Sequence, residues 1–322
     1  MAPSLLGPQG HLSPAEALQL AQQAPEILRN NPKAISSSPL VSLFTASETA
    51  DLWTIYTNLL VACLRTKNDQ SAHECLDRLV LRFGEKNEQI MALQGLVKEA
   101  EAESRDQLQA VLGEYDSILK ENSSNIPIAK RKVALLRSMG SIPEAITSLT
   151  ALLDFTPTDA EGWAELSDLY LTQGLYSQAI FSLEEVLVLV PNAWNVHARL
   201  GEILLMAANS ETESSTRHLA EALKRFCRSI ELCDDYLRGY YGLKKVTDQV
   251  LSQAGKSKKQ DADEPKLPDQ KQVEKLNQVA TAKLGEIVRR YNAKEKLWQG
   301  YDADEIAAAK TLLEASAPQL VR

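Results

Sequence analysis

Residues able to do chemistry are sparse in this sequence, and few stand at spacings that chemistry requires. His73-Glu74-Cys75 has the residue types of a zinc or deaminase site, where His and Cys hold the metal and Glu moves protons at an attacking water. The remainder of such a site is missing: Asp77 stands four residues after His73, and no Cys-x-x-Cys pair follows. The trio therefore reads as a helix-surface histidine beside a core cysteine. Gly255-Lys256-Ser257 resembles the end of a phosphate-cradling loop, but Val250 replaces the glycine needed five residues earlier and no strand precedes it, so a linker is expected. Asn122-Ser123-Ser124 spells a glycosylation sequon; with no basic region ahead of the N-terminal leucines to mark a signal peptide, it reads as a helix-ending turn. Four cysteines, Cys63, Cys75, Cys227 and Cys233, show no metal-ligand spacing and are expected to be buried thiols of a reducing compartment. Cys227 and Cys233, six apart on one helix, point roughly 240° around from each other and cannot pair. No nucleophile stands beside a base. The sequence points away from an enzyme, with no catalytic residue, cofactor or metal site expected.

Composition narrows the remaining classes. The formal charge of -8 over 322 residues, with acidic residues among the basic ones, argues against a nucleic-acid face, which needs a dense cationic stripe. The longest strongly apolar runs, Leu59 to Leu64 and Val186 to Val190, fall far short of the ~20 residues that span a bilayer. Any membrane association is expected to be indirect, through partners.

What remains to position functional side chains is a repeat. Trp163, Leu166, Ser167 and Tyr170 recur at i, i+3, i+4 and i+7 and share one face of a helix that Gly174 ends. Ala179, Leu183 and Val186 mark a stripe on a second helix, with small Ala179 at the closest approach, and Pro191 stops the pattern. Stepping back 34 residues takes Pro191 to Pro157, Val186 to Leu152, Leu183 to Leu149, Ala179 to Ala145 and Gly174 to Gly140. This is the tetratricopeptide (TPR) pattern, and one such hairpin cannot bury its own apolar face. The fold class expected is all-α, TPR-type helical hairpins stacked into a right-handed superhelix. Trp53, Trp163, Tyr170, Tyr176 and Phe226 are expected to hold the stack.

The chain divides by the same reasoning. Residues 1–50 read as an N-terminal extension with short helices, the first capped by Ser13-Pro14-Ala15-Glu16. Residues 51–254 read as the repeats, with an enlarged turn at Thr66 to Gln70. A further hairpin begins at Trp194, and its alanine, Ala222, arrives nine residues late, which predicts a polar inserted loop from Asn209 to Arg217. Residues 255–271, rich in Lys, Asp, Gln and Pro, read as a flexible charged linker. Residues 272–322 read as C-terminal helices packing on the stack, the last with Ile306, Ala309, Leu312 and Leu313 inward.

Partner contacts are expected from the other face of each first helix, which lines the inner surface of the stack. By repeat position these residues are Asn58, then Lys130, Ala134 and Arg137, then Ala164, Asp168 and Leu171, then Ala198, Glu202 and Leu205. An adaptor for the acidic C-terminus of a heat-shock protein is the competing reading. Lys130 could begin its carboxylate clamp, but Ala134 and Asp168 stand where polar or cationic groups are needed.

Asp51-Leu52-Trp53, the LRFG end at Leu81 to Gly84, the run WAELSDLYLTQGLYSQAIFSLEEVLVLVPNAWNVHARLGEILL and YLRGYYGLK at Tyr236 to Lys244 together resemble the family of second subunits of the endoplasmic reticulum membrane protein complex. The resemblance covers about Asp51 to Val250. It implies a non-catalytic cytosolic TPR scaffold, peripheral at the cytoplasmic face of the endoplasmic reticulum membrane. Its implied partners are the other subunits of that complex, membrane-embedded and soluble, and its implied role is to support insertion of tail-anchored and multipass proteins.

Overall fold

A computed structural model describes residues 4–7, 12–30, 50–210, 215–253 and 267–316. Among these there are helices and no strands. The chain forms two compact units, Met1–Leu152 and Leu153–Arg322.

In the first unit α1 (Pro14–Ala21) and α2 (Ala24–Asn30) precede the hairpin of α3 (Ala50–Arg65) and α4 (Asp69–Phe83), followed by α5 (Glu88–Glu101), α6 (Arg105–Glu121) and α7 (Ile126–Ser138). A polar residue just before the helix explains where five of these start. Ser13 and Glu16 form a reciprocal capping box on α1, Asn68 caps α4, Asn87 caps α5, Ser104 caps α6 and Asn125 caps α7. The turn between α3 and α4 is shorter than the enlarged one expected, because Asp69 and Gln70 already belong to α4; Lys67, at φ 57°, makes the reversal. Tyr56, Leu59, Leu60 and Cys63 of α3 pack on Ala72, Cys75, Leu76 and Leu79 of α4. Leu20, Ala21, Ala24 and Leu28 cover the apolar end that this hairpin would otherwise expose. Burial pushes the thiol pKa values up, to about 11 for Cys63 and about 12 for Cys75.

α8 (Ile142–Phe155) ends inside the second unit, which continues with α9 (Ala160–Thr172), α10 (Tyr176–Leu189), α11 (Trp194–Ser210), α12 (Ser215–Leu232), α13 (Leu237–Gln253), α14 (Gln270–Asn292), a single 3-10 turn at Lys296–Trp298 and α15 (Ala303–Ser316). Ala179, Leu183 and Val186 of α10, Leu200, Ile203 and Leu204 of α11, and Phe226 of α12 form one core with Leu243 and Val246 of α13. Val273, Leu284 and Ile287 of α14 and Ile306 and Ala309 of α15 join the same core. Phe226 is fully buried because glycines admit its ring: a Cβ on Gly242 would lie 2.0 Å from it, and one on Gly201 2.9 Å. Trp53, Trp163, Tyr170 and Tyr176 are half-buried against their cores.

The 34-residue period is visible as repeated hydrogen bonds. After α7, Gly140 at φ 77° lets Ser141 N–H reach the Leu136 carbonyl at 2.9 Å; after α9, Gly174 at φ 70° lets Leu175 N–H reach the Tyr170 carbonyl at 3.0 Å. Trp163 Nε1–H donates to the Pro157 carbonyl at 2.9 Å, and His197 Nε2 lies 3.0 Å from the Pro191 carbonyl. His197, and not Trp194, therefore takes the repeat's aromatic position; Trp194 is the first residue of α11 and is exposed.

Three further expectations change. The insertion before Ala222 mostly lengthens helices: α11 and α12 have 17 and 18 residues where α9 and α10 have 13 and 14, and only residues 211–214 fall outside the described ones. Of the stretch 255–271, residues up to 266 lie outside the described residues, while Gln270 and Lys271 open α14. Cys227 and Cys233 are half-buried and not fully enclosed like Cys63 and Cys75: Cys227 sits at the edge of the core that α12 joins, and Cys233, expected on the same helix, is the first residue past its end.

Candidate partner-binding site

The inner positions of the hairpins separate into three environments. On α3, Asn58 is already engaged: its Nδ2 donates to the Leu5 carbonyl at 2.6 Å, so the N-terminal segment of the chain covers the position expected to meet a partner.

Between α5 and α7 lies an open cleft of about 930 Å³. Ala92, Leu93, Leu96, Ile126 and Pro127 give it an apolar floor, and Lys86 and Lys130 bring positive charge to its rim, where Arg131 is paired with Glu99 and Glu88 is the acidic side chain of the lining. The two helices stand side by side because α6 packs against both from behind. Gly95 of α5 faces the Tyr115 ring of α6, leaving no room for a Cβ. Tyr115 OH donates to Glu99 at 2.5 Å, and Arg131 Nε donates to the same carboxylate at 3.2 Å, which fixes α7 against α5. Burial raises the Tyr115 pKa far above its ordinary value, and the adjoining Glu99 carboxylate adds to the effect. This phenol stays a hydrogen-bond donor. Lys130 and Arg137 are both exposed on α7, as their repeat positions require, and Ala134 is half-buried between them.

The second unit treats the same positions differently. Asp168 of α9 accepts from Arg199 Nη2 at 3.0 Å, Arg199 Nη1 donates to Glu202 at 3.1 Å, and Arg238 of α13 donates to both oxygens of Glu202 at 2.8 and 2.9 Å. Glu305 of α15 lies 3.9 Å from Arg238. The result is a ladder of alternating charge over α9, α11, α13 and α15. Burial alone would lower the Arg199 pKa, but hydrogen bonds to Asp168 and Glu202 outweigh it and raise the value; Arg238 is raised in the same way by Glu202. Glu305 is shifted up by burial, against the pull of Arg238. Leu171 and Leu205 are half-buried and pack on the core, Ala164 likewise, and Ala198, expected on the groove, is buried at 1% exposure. Ala198 belongs to the same buried core as Leu200 and Ile203 of α11.

The structure therefore brings Lys130 together with a cleft that the sequence reading did not outline, and it pairs Asp168 and Glu202 with two arginines that reading passed over. A signal for the ladder does exist: Arg199 stands three residues before Glu202, an i, i+3 pair, with Asp168 at Glu202's own position one repeat earlier. No group of His, Cys, Asp and Glu among the described residues could hold a metal ion.

Residues 74–218 match the family model described as the EMC2 TPR-like repeat domain. The chain is 36% identical over 201 residues to the TPR repeat protein oca3 of Schizosaccharomyces pombe, covering 62% of this chain and 68% of that protein. It is 29% identical over 216 residues to ER membrane protein complex subunit 2-B of Xenopus laevis, covering 67% of this chain and 69% of that one. With ER membrane protein complex subunit 2 of Saccharomyces cerevisiae it shares 29% identity over 175 residues, 53% of this chain and 54% of the yeast protein.

Proposed function

We propose a function from one premise: the chain belongs to the EMC2 TPR-like repeat family, a family of non-catalytic repeat proteins. It is a scaffold subunit of the endoplasmic reticulum membrane protein complex. It docks cytosolic segments of the membrane-embedded subunits, and so supports insertion of tail-anchored and multipass proteins. It sits peripherally on the cytoplasmic face. No described helix is long and apolar enough to cross a membrane, so on this reading the partners hold it there.

The observation that carries the docking role is the cleft between α5 and α7. An apolar floor rimmed by cations accepts a chain segment that carries apolar side chains and an acidic residue. The carboxylate clamp of the heat-shock adaptors is a weaker account, since Arg199 and Arg238 already neutralise Asp168 and Glu202 and neither cation is left to grip a tail.

The test is recovery of the membrane-spanning subunits with the tagged full chain from detergent-solubilised membranes. Ile126→Asp puts a charge on the cleft floor at the first position of α7, where an acidic residue suits the helix. Reduced recovery at an unchanged melting temperature is expected. Full recovery would put the partner on another face.

A further inference from the structure

Two leucines of the N-terminal segment repeat one arrangement on α3. Leu5 is buried in the core of the first unit and its carbonyl accepts from Asn58 Nδ2 at 2.6 Å. Leu12 packs on the same core and its carbonyl accepts from Arg65 Nη2 at 2.8 Å. Both pairs are separated by 53 positions, so the two donors, seven apart on α3, read two carbonyls seven apart in the segment. Asn58 and Arg65 follow each other by about two helical turns and face the same side of α3, the inner side by repeat position.

We propose that the inner side of α3 is a binding site for a peptide backbone, filled in this chain by its own N-terminal segment as a displaceable ligand. Side chains that donate to main-chain carbonyls hold a peptide with little regard to its sequence, and the apolar contacts supply the register. The occupant is this chain's residues Ser4–Gly7 with Leu12, since they are the groups seen on those donors.

Closing off the apolar end of the stack does not account for the arrangement, because α1 and α2 already do that with Leu20, Ala21, Ala24 and Leu28. The ties also differ in kind. Arg78 holds α2 through the Leu28 carbonyl at 2.6 Å and the Tyr56 hydroxyl at 2.6 Å, and its side chain is buried. Arg65 is exposed, as are Ser4 and Leu6, with Leu6 at 54%. A segment whose ties are exposed at Arg65 and only part-buried at Asn58 opens at lower cost than the buried clasp of Arg78. If the docking reading above is right, a partner segment reaching the inner side of α3 must first displace this one.

The experiment uses the full-length protein and a fluorescent synthetic peptide of residues 1–13, with no membrane subunit present, so its failure leaves the docking reading untouched. Leu5→Asp with Leu12→Asp releases the internal copy. The peptide is expected to bind this variant, and to bind the wild-type chain at least tenfold more weakly, because the tethered copy competes at high effective concentration. Adding Asn58→Ala to the released variant is expected to weaken binding about tenfold. Equal binding to wild type and released variant, indifference to Asn58→Ala, or no binding to a released variant of normal melting temperature would overturn the proposal. Should the released variant fail to fold, hydrogen exchange on Asn58→Ala with Arg65→Ala decides. Faster exchange of residues 4–7 with α1 still protected is expected; simultaneous loss of α1 protection would show that the segment is an inseparable part of the end cap.

Discussion

The first helices α7 and α11 fill the same place in their hairpins, yet they leave different things open. α7 presents Lys130 beside an apolar cleft, while α11 holds Glu202 between two arginines and turns Ala198 into the core. The template assigns both helices to a groove. What decides their use is the neighbour about one repeat away: α5 offers α7 an apolar wall, whereas α9 and α13 offer α11 opposite charges. Charges that satisfy one another across helices contribute to the stack and are lost to a partner, because a ligand would have to break a pair to make one.

If each unit keeps its own core, the largest effect should come from Leu183→Asp, which strands a carboxylate at a site 3% exposed in the second unit. Burial of an unpaired charge costs several kcal/mol, roughly 3–5 by analogy with broken buried pairs, so soluble folding of that unit should be lost. Hydrogen exchange should still show protected amides in α3 and α4. Cooperative loss of both units together would mean that the two regions cannot be weighed separately.

An intermediate effect is expected from Arg199→Ala. It leaves Asp168 and Glu202 without their shared cation, but the side chains are partly exposed, so solvent screening holds the loss to about 1 kcal/mol. The matching change in the cleft, Lys130→Ala at an exposed side chain, should cost less. Chemical denaturation of both variants checks this, and a similar loss in each would erase the distinction between ladder and cleft.

Much of the frame was legible. Gly140 and Gly174, Ala145 and Ala179, and Pro157 and Pro191 mark the period in residues whose backbone or size requirements leave little choice. Of the positions the period assigns to the inner face, Ala198 is buried, while Lys130, Arg137, Asp168 and Glu202 are not. The pairing of Asp168 and Glu202 was not legible, because it depends on residues 31 and 36 positions away on other helices. His197 was missed because the feature that recurs between the two repeats is a ring nitrogen reaching a carbonyl, which tryptophan and histidine both supply. The cover over Asn58 left no trace, since its acceptor is a main-chain carbonyl that any residue carries. A late alanine announced extra residues without saying that they extend α11 and α12.

Acid should separate the regions again. His197 is buried in the second unit, and burial lowers its pKa from the ordinary histidine value of 6.5, with Arg225 and Arg228 adding to the effect and the Pro191 carbonyl opposing it. The folded state thus prefers the neutral ring while the unfolded chain takes a proton near pH 6.5. Stability from this group is complete above that pH and falls as the pH drops towards the folded value. His197→Phe should flatten this part of the profile, at the cost of the bond to Pro191. An unchanged slope between pH 7 and 5 would show that the ring is not kept neutral.

The smallest effect on stability, and the one that bears most on function, is expected from Lys130→Glu with Arg137→Glu. Both side chains are exposed on α7, and exposed charges contribute about 0 to 1 kcal/mol per pair, so melting should barely move. A partner segment that reads the cationic side of the cleft would meet two reversed charges, one of them on the rim itself. Recovery of membrane-spanning subunits with the tagged chain should therefore fall, and the shortfall should be largest in low salt, where repulsion between unscreened charges is strongest. Asp168→Asn in the ladder is the control. Its charge is spent on Arg199, so recovery should stay at the wild-type level. Loss with the ladder variant and none with the cleft variant would reverse the assignment and make the second unit the docking face.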